Sequence, residues 1–276
     1  MLTQQTLLID GHIHIYPHYN LKSAINQGVS NLITAAQKDH KLIAAEKFVP
    51  IWFLTERFDC NFYNQALHFS DELNLKEVKV IPSKEKESLI VEKDGKPILH
   101  ILAGRQIVTK ENLEILSLIS TLYLKDREKS IDEVIDRVID SGGIPAINWA
   151  PGKWFFSRGK VVERTIENHS PDNLVIGDTS LRTRLWRLPR LMAEAQKRGF
   201  KIIAGSDPFP LKNEESQIGH YGFALTGKFD DTRPAASLRN LLKDRQTTVT
   251  FIGKRNPLLT CIKREFMIMR EKKSVL

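Results

Sequence analysis

The residues best suited to chemistry lie in the stretch LLIDGHIHIYPHYN, residues 7–20. His12 and His14 are two positions apart, and on a strand this spacing places both side chains on the same face. Imidazole nitrogens are ligands for Zn, Mn or Fe. An isolated His-x-His pair is more often two surface or core histidines than a metal site, so a further motif is needed to support one.

A second motif, KIIAGSDPFP, supplies that support. KIIAGSD reads as a late apolar strand that ends in Asp207. Because the carboxyl ends of parallel strands meet at one edge of a sheet, Asp207 is expected to approach His12 and His14. Taken alone, Asp207 would be read as a turn residue before Pro208. Together the two motifs favour a metal site, where Asp10 either orients an imidazole or caps the adjacent loop.

Cations also follow the predicted strands. Arg57, Lys153 and Arg182 are placed where a guanidinium or ammonium group could bind a phosphate through charge-assisted hydrogen bonds. The alternative reading of each is an exposed surface charge.

Composition limits the class of protein. The chain has 276 residues, 41% of them hydrophobic and 27% charged, which is enough for one large α/β domain spanning residues 1–276. No apolar run approaches the ~20 residues needed to cross a bilayer, and no secretion signal is recognised at the N-terminus. Cys60 and Cys261 form no Cys-x-x-Cys motif, so a reducing, cytoplasmic environment is expected.

The net charge of +8 favours a small anionic or phosphorylated substrate. Much of the positive charge lies in a basic helical extension predicted over about residues 234–276, read as a solvated helix face. Nucleic-acid binding is not favoured, because these basic residues are not interleaved with stacking aromatic residues. The sequence leaves the oligomeric state open.

Apolar runs alternate with helical patterns along the chain, which predicts a parallel sheet, either open or closed into a barrel. SLIVEKDGKPILHIL predicts an antiparallel hairpin around Asp94-Gly95. SIDEVIDRVIDSGG predicts a helix that Ser130 and Glu133 cap and Gly142-Gly143 end. Residues 208–233 have no clear period and are predicted to form a long loop over the strand ends.

The order of these elements resembles the PHP (polymerase and histidinol phosphatase) family of metal-dependent phosphoesterases. LIDGHIHI resembles its opening His-x-His strand, and FKIIAGSDPFP resembles its late strand ending in Ser-Asp-Ala-His. Between them, FVPIWFLTERFD, ILAGRQIVTKENLEILSL and IDRVIDSGGIPAINWAP resemble three further family segments, so the resemblance covers residues 7 to about 222. It implies a distorted (β/α)7 TIM-like barrel with a small antiparallel hairpin and a metal site at the strand carboxyl ends.

Only part of the family's ligand set is present. His12, His14 and Asp207 match ligand positions, and Glu114 stands at a histidine position where its carboxylate could replace the imidazole. Other positions carry residues that are poor ligands or none: Arg57, Gln106, Asn148 and Phe209. The resemblance therefore implies one or two ions of Zn, Mn or Fe rather than three.

These observations predict a metal-dependent hydrolase that cleaves a phosphoester with a metal-activated water. Asp207 and Arg57 are the catalytic candidates, with Arg57 stabilising developing phosphate charge. Substrate binding is predicted for Arg57, Lys153 and Arg182. Two alternatives remain: an amidohydrolase-type enzyme that uses Asp207 as general base, and an inactive PHP-like module that binds a phosphorylated ligand or a partner.

Overall fold

A computed structural model of the chain describes residues 4–38, 48–68 and 78–274. The strands are β1 Gln4–Ile13, β2 Phe48–Leu54, β3 Val78–Pro82, β4 Ser88–Lys93, β5 Lys96–Leu102, β6 Gly104–Val108, β7 Glu114–Leu118, β8 Ile144–Asn148, β9 Val175–Thr179, β10 Ile202–Gly205, β11 Tyr221–Lys228 and β12 Thr250–Gly253. The helices are α1 Leu21–Gln37, α2 Phe62–His68, α3 Ile131–Asp140, α4 Phe156–Asn168, α5 Arg190–Lys197, α6 Pro234–Lys243 and α7 Leu258–Ser274, with a 3₁₀ turn at Glu214–Gln217.

The strands form two sheets. The seven-stranded sheet has the order β12-β11-β1-β2-β5-β4-β3, and the five-stranded sheet has the order β10-β9-β8-β7-β6. The pairs β1–β2, β2–β5, β8–β9 and β9–β10 are parallel, whereas the other six pairs are antiparallel. Parallel pairing is thus confined to the parts of the sheets that carry the helical crossovers.

The predicted closed (β/α)7 barrel is wrong. A closed barrel needs one continuous ladder, but here the hydrogen-bonded strands separate into two sheets. The physical reason is the length of the connections. β4 and β5 are joined by Asp94-Gly95, and β6 and β7 by residues 109–113, and such short links produce antiparallel neighbours because a parallel pair needs a crossover of a dozen or more residues.

The predicted hairpin and capped helix are confirmed. Asp94 and Gly95 both have positive φ angles, 51° and 70°, as a two-residue hairpin turn of this type requires. The α3 helix begins with a capping box in which Ser130 accepts from the Glu133 amide and the Glu133 carboxylate accepts from the Ser130 amide. The pattern of NQALHFSDEL also predicts a helix at residues 64–73; its first part lies in α2, and its second part lies outside the described residues.

Apolar side chains form three main layers. One cluster lies between α1 and the outer face of the seven-stranded sheet, and includes Leu32 and Trp52. A second joins the two sheets, and a third packs α3, α4 and α5 against the outer face of the five-stranded sheet. The sheets therefore face one another across a shared apolar layer and carry helices on their outer sides.

The prediction of a long loop at residues 208–233 is wrong for its second half. Tyr221–Lys228 forms β11, which pairs antiparallel with β1 over Gln4–Ile9. The predicted helical extension at about residues 234–276 contains α6 and α7, but it also contains β12, which pairs with β11. The sequence pattern did not reveal β11, because its buried positions run continuously from Tyr221 to Leu225 instead of alternating.

Candidate metal centre

A β-bulge in β1 directs His12 and His14 towards the space between the sheets. Asp10 pairs with Trp52 and Ile13 with Leu54, so β1 has one residue more than β2 across this interval. Leu8 and Ile13 lie in the same outer cluster although five positions separate them. The extra residue reverses the alternation of side chains, and this reversal turns the two imidazoles inward.

Two glycines let the ends of β1 and β10 come close together. A Cβ atom on Gly205 would lie 2.3 Å from the Cβ of His12, and one on Gly11 would lie 2.8 Å from the Ala204 carbonyl oxygen. The Asp207 amide donates to the His12 carbonyl at 3.0 Å, with Asp207 itself at φ 52° in the left-handed region. This close approach brings the Asp207 carboxylate to the two histidines.

The three side chains converge on one point. His12 Nε2 lies 3.1 Å from His14 Nε2, and each of these nitrogens lies 3.5 Å from Asp207 Oδ1. Ligands bound tetrahedrally at 2.0–2.2 Å from a zinc ion are about 3.3–3.6 Å apart. The three separations are therefore close to the edges of a coordination tetrahedron whose fourth corner is open. Among the described residues, these three form the one group of histidine, cysteine or acidic ligands with this convergence.

Protonation states also suit a metal. Burial lowers the pKa of His12, an effect that the Asp207 charge only partly offsets, so the imidazole is neutral at neutral pH. Burial raises the pKa of Asp207, but His12, His14 and the guanidinium of Arg264 outweigh this effect and bring the pKa to about 2. A neutral imidazole and an ionised carboxylate are the forms that bind metal ions.

Asp10 accepts hydrogen bonds from the loops beside the site and not from an imidazole ring. Its Oδ1 accepts from the amides of His12 and Ser206, and its Oδ2 accepts from the Ser206 hydroxyl and the Gly219 amide. Burial raises the pKa of Asp10 to about 6 against the effect of these bonds. Of the two roles left open by the sequence, the contacts favour the cap, which ties the segments after β1 and β10 together.

The other ring nitrogens test the fit to a metal. The Nδ1 atoms of His12 and His14 are buried and have no hydrogen-bond partner among the described residues. Metal-bound histidines usually donate this second N–H to a carboxylate or carbonyl group. The ligand types, their separations and their protonation states fit one divalent ion. The imidazoles lack, among the described residues, the hydrogen bond at Nδ1 that usually orients a metal-bound histidine.

Arg264 on α7 holds the main chain at Asp207. Its Nη2 donates to the Asp207 carbonyl at 3.1 Å and to Glu214 Oε2 at 2.6 Å, while its Nε donates to Glu214 Oε1 at 3.0 Å. The guanidinium also lies 4.4 Å from the centre of the Phe209 ring. Arg264 gives no signal of this role in the sequence, because 57 residues separate it from Asp207 and it lies within a basic run that reads as a solvated face.

Glu114 lies beside the group of three without joining it. It faces Asn148 across the β7–β8 pair, and its Oε2 accepts from Asn148 Nδ2 at 3.1 Å. Its Oε1 lies 3.6 Å from Lys153 Nζ, which also donates to the Asn112 carbonyl. The charge of Glu114 acts to raise the pKa of His12, so Glu114 and Lys153 belong to the surroundings of the site.

The register of β6 and β7 places Gln106 on the same face as Glu114. Gln106 pairs with Leu116, two positions after Glu114, and Leu116 lies in the layer between the sheets. Ile115 belongs instead to the outer helical layer. Gln106 and Glu114 therefore both face inward. These are two positions at which the resemblance expects metal ligands of other residue types.

Arg57 lies at the rim of the site. Its guanidinium is 5.9 Å from the centre of the Tyr16 ring, which is in turn 5.8 Å from the ring of His14. Arg57 Nη2 pairs with Asp59 at 3.1 Å, and about a third of the side chain is exposed. Tyr16 was not predicted as a site residue, although its spacing of two from His14, like that of His14 from His12, would have placed it on the same face of an extended strand.

Arg182 is committed to a buried ion pair. Its Nε and Nη2 donate to the two carboxylate oxygens of Asp178 at 2.7 and 2.5 Å, and its Nη1 donates to the Trp186 carbonyl. Tyr221 completes the group by donating its hydroxyl to Asp178. These contacts tie β9 to β11 and leave Arg182 4% exposed.

Comparison with known proteins gives a fold similarity. No protein-family model matches the sequence, and no curated protein matches it. The crystal structure of PsfC from Pseudomonas syringae PB-5123 aligns over 100% of both chains with a TM-score of 0.53 and 12% identity. At this identity, the similarity concerns the fold alone.

A second solved structure is a two-domain protein from Bacteroides vulgatus ATCC 8482, described as containing a predicted PHP-like metal-dependent phosphoesterase. The alignment has a TM-score of 0.44 and 11% identity, and covers 91% of this chain and 66% of the other. A similarity this low carries no argument about function.

In the described part of the chain, no helix has the length and apolar character needed to span a bilayer.

Proposed function

We propose that this protein is a metal-dependent hydrolase that cleaves a phosphoester. The observation that carries the proposal is the set of separations of 3.1, 3.5 and 3.5 Å among His12 Nε2, His14 Nε2 and Asp207 Oδ1. A Zn, Mn or Fe ion bound by these three atoms would supply Lewis acidity and lower the pKa of a bound water to roughly 7.

The three ligand side chains are held in place by the surrounding protein. His12 and His14 are almost fully buried, so their rings are held in place by packing. Asp207 provides a negative charge, and Arg264 donates to the main-chain carbonyl of Asp207 and so holds the backbone that carries this carboxylate. This arrangement leaves the ligand geometry largely preorganised before an ion binds.

Two cations near the site suit a phosphate group. Arg57 reaches the rim beside Tyr16, and Lys153 lies beside Glu114. Charge that develops on phosphate oxygens would be stabilised by either cation, through charge-assisted hydrogen bonds. This pairing of a metal site with nearby cations supports a phosphoester over an uncharged amide substrate.

The test is hydrolysis of p-nitrophenyl phosphate and bis(p-nitrophenyl) phosphate by protein supplied with Zn, Mn or Fe. We expect turnover that a chelator abolishes and that Asp207→Ala reduces by more than the roughly 10–100-fold that losing an outer partner of a metal ligand costs. His18→Ala is the matched control, because His18 is an exposed histidine on the same segment. Metal binding without hydrolysis of any phosphoester would support the alternative of an inactive binding module.

A further inference from the structure

Three of the four tryptophans in the chain line one cavity. Trp149, Trp154 and Trp186 surround a space of about 390 Å³ together with Phe155 and Phe156. The fourth, Trp52, is fully buried in the core. The cavity lies between the segments that follow β8 and β9, at the strand ends of the five-stranded sheet. Small-molecule sites are concave and lined by aromatic side chains, with volumes of roughly 300–1,000 Å³.

The rings form a wall that is buried at one end and open at the other. Trp149 and Trp154 are 2% and 6% exposed, whereas Trp186, Phe155 and Phe156 are 40%, 46% and 92% exposed. Trp149 meets Trp186 edge-on, with centroids 5.4 Å apart, and Trp186 lies nearly parallel to Phe155, with centroids 6.4 Å apart. The buried Trp149 ring thus holds Trp186 in position, and the exposed rings offer stacking surface.

The charges of the cavity favour an anionic ligand. Arg190 is engaged by Glu163 and Glu194 at 3.0 and 2.8 Å. Lys160 also lines the cavity and is exposed, and its ammonium group has no hydrogen bond or ion pair within residues 4–38, 48–68 and 78–274. Lys160 is therefore available to pair with a phosphate beside the ring wall.

We propose that this cavity binds a planar aromatic ring that carries a phosphate, as in a nucleotide. The ring stacks on Trp186 and Phe155, and the phosphate pairs with Lys160. Base–aromatic stacking tolerates different bases because each has a π-face, so the site selects a class of ligand and not one nucleobase. The proposal goes beyond the proposed hydrolase activity and needs no metal ion.

The test uses tryptophan fluorescence of the full chain in the presence of a chelator, titrated with AMP, adenosine and ribose 5-phosphate. We expect saturable quenching by AMP, weaker binding of adenosine, and no quenching by ribose 5-phosphate. Trp186→Ala should weaken AMP binding, measured by calorimetry, about tenfold or more, as expected for the loss of a stacking surface, and Trp186→Phe should restore most of it. Lys160→Gln should weaken binding of AMP but leave adenosine binding unchanged.

Phe266→Ala is the control, because Phe266 is an exposed phenylalanine on α7, outside the cavity. Three results would overturn the proposal: no saturable response to AMP, equal binding of AMP by wild type and Trp186→Ala, or equal responses to ribose 5-phosphate and AMP. Since a chelator is present, none of these results depends on the hydrolase proposal.

Discussion

The side chain of Arg264 donates a hydrogen bond of 3.1 Å to the carbonyl of Asp207, and so links the C-terminal helix to the candidate metal centre. Asp207 adopts a left-handed backbone conformation that non-glycine residues rarely adopt. Such a conformation persists only where neighbouring contacts determine it, and Arg264 supplies one on the carbonyl side. The helix that reads as a solvated extension therefore contributes to the geometry of the site.

Replacing Arg264 should weaken metal binding as well as stability. Arg264→Met leaves the buried Glu214 carboxylate without its partner and removes the contact to Asp207, so the free energy of unfolding should fall by about 3–5 kcal/mol. The double variant Arg264→Met/Glu214→Gln should regain most of that stability but not the metal affinity, measured by competition with a chromogenic chelator. Equal recovery of both quantities would show that Arg264 acts through stability alone.

A methyl group at Gly205 should separate β10 from β1. The added Cβ would lie 2.3 Å from the His12 Cβ, so Gly205→Ala must shift the strand that delivers Asp207. We expect metal binding to be lost, measured by equilibrium dialysis. Gly95→Ala is the control, since its φ of 70° makes that change destabilising while the added Cβ meets nothing within 4 Å. Metal binding by Gly205→Ala at the wild-type level would contradict the role given to this contact.

Asp10 should be sensitive to removal of its charge alone. In Asp10→Asn an amide NH₂ group would face the Ser206 hydroxyl or the Gly219 amide, both of which donate to Asp10 in the native protein. The unsatisfied donors should lower the free energy of unfolding by about 1–3 kcal/mol, measured by urea denaturation. If Asp10 instead oriented an imidazole, the same variant would lose metal affinity with little loss of stability.

Glu114 provides a test of the ligand set. Its carboxylate contacts Asn148 and Lys153 and lies outside the converging group, so Glu114→Gln should retain bound metal. Stability should change by no more than about 1 kcal/mol, as for a partly exposed ion pair. A loss of metal as complete as that in His12→Ala would identify Glu114 as a fourth ligand.

Local signals in the sequence predicted local structure well. The Asp94-Gly95 turn and the Ser130–Glu133 capping box depend on neighbouring residues, and both form as predicted. The convergence of His12, His14 and Asp207 was predicted from strand ends and also forms, although β1 and β10 lie in different sheets and not at one sheet edge. What failed was long-range: the barrel required continuous pairing that the short connections prevent, and β11 lacks the alternation that would have identified it.

Two features of the site had no local signal at all. The bulge between Asp10 and Ile13 depends on how β1 pairs with β2, which one strand's sequence does not encode. The contact of Arg264 with Asp207 depends on where α7 docks. By contrast, the sequence did contain a signal against Arg182 as a phosphate ligand. Asp178 lies four positions earlier and pairs with Arg182 in the structure.

Binding of one divalent ion by His12, His14 and Asp207 is tested by the metal stoichiometry of the protein. Elemental analysis of untagged protein, purified without chelator and incubated with Zn and Mn, should give about one equivalent. His14→Ala and Asp207→Ala should lose the ion, while His18→Ala should keep it. Absence of metal from the wild type, or equal metal content in all four proteins, would contradict the claim.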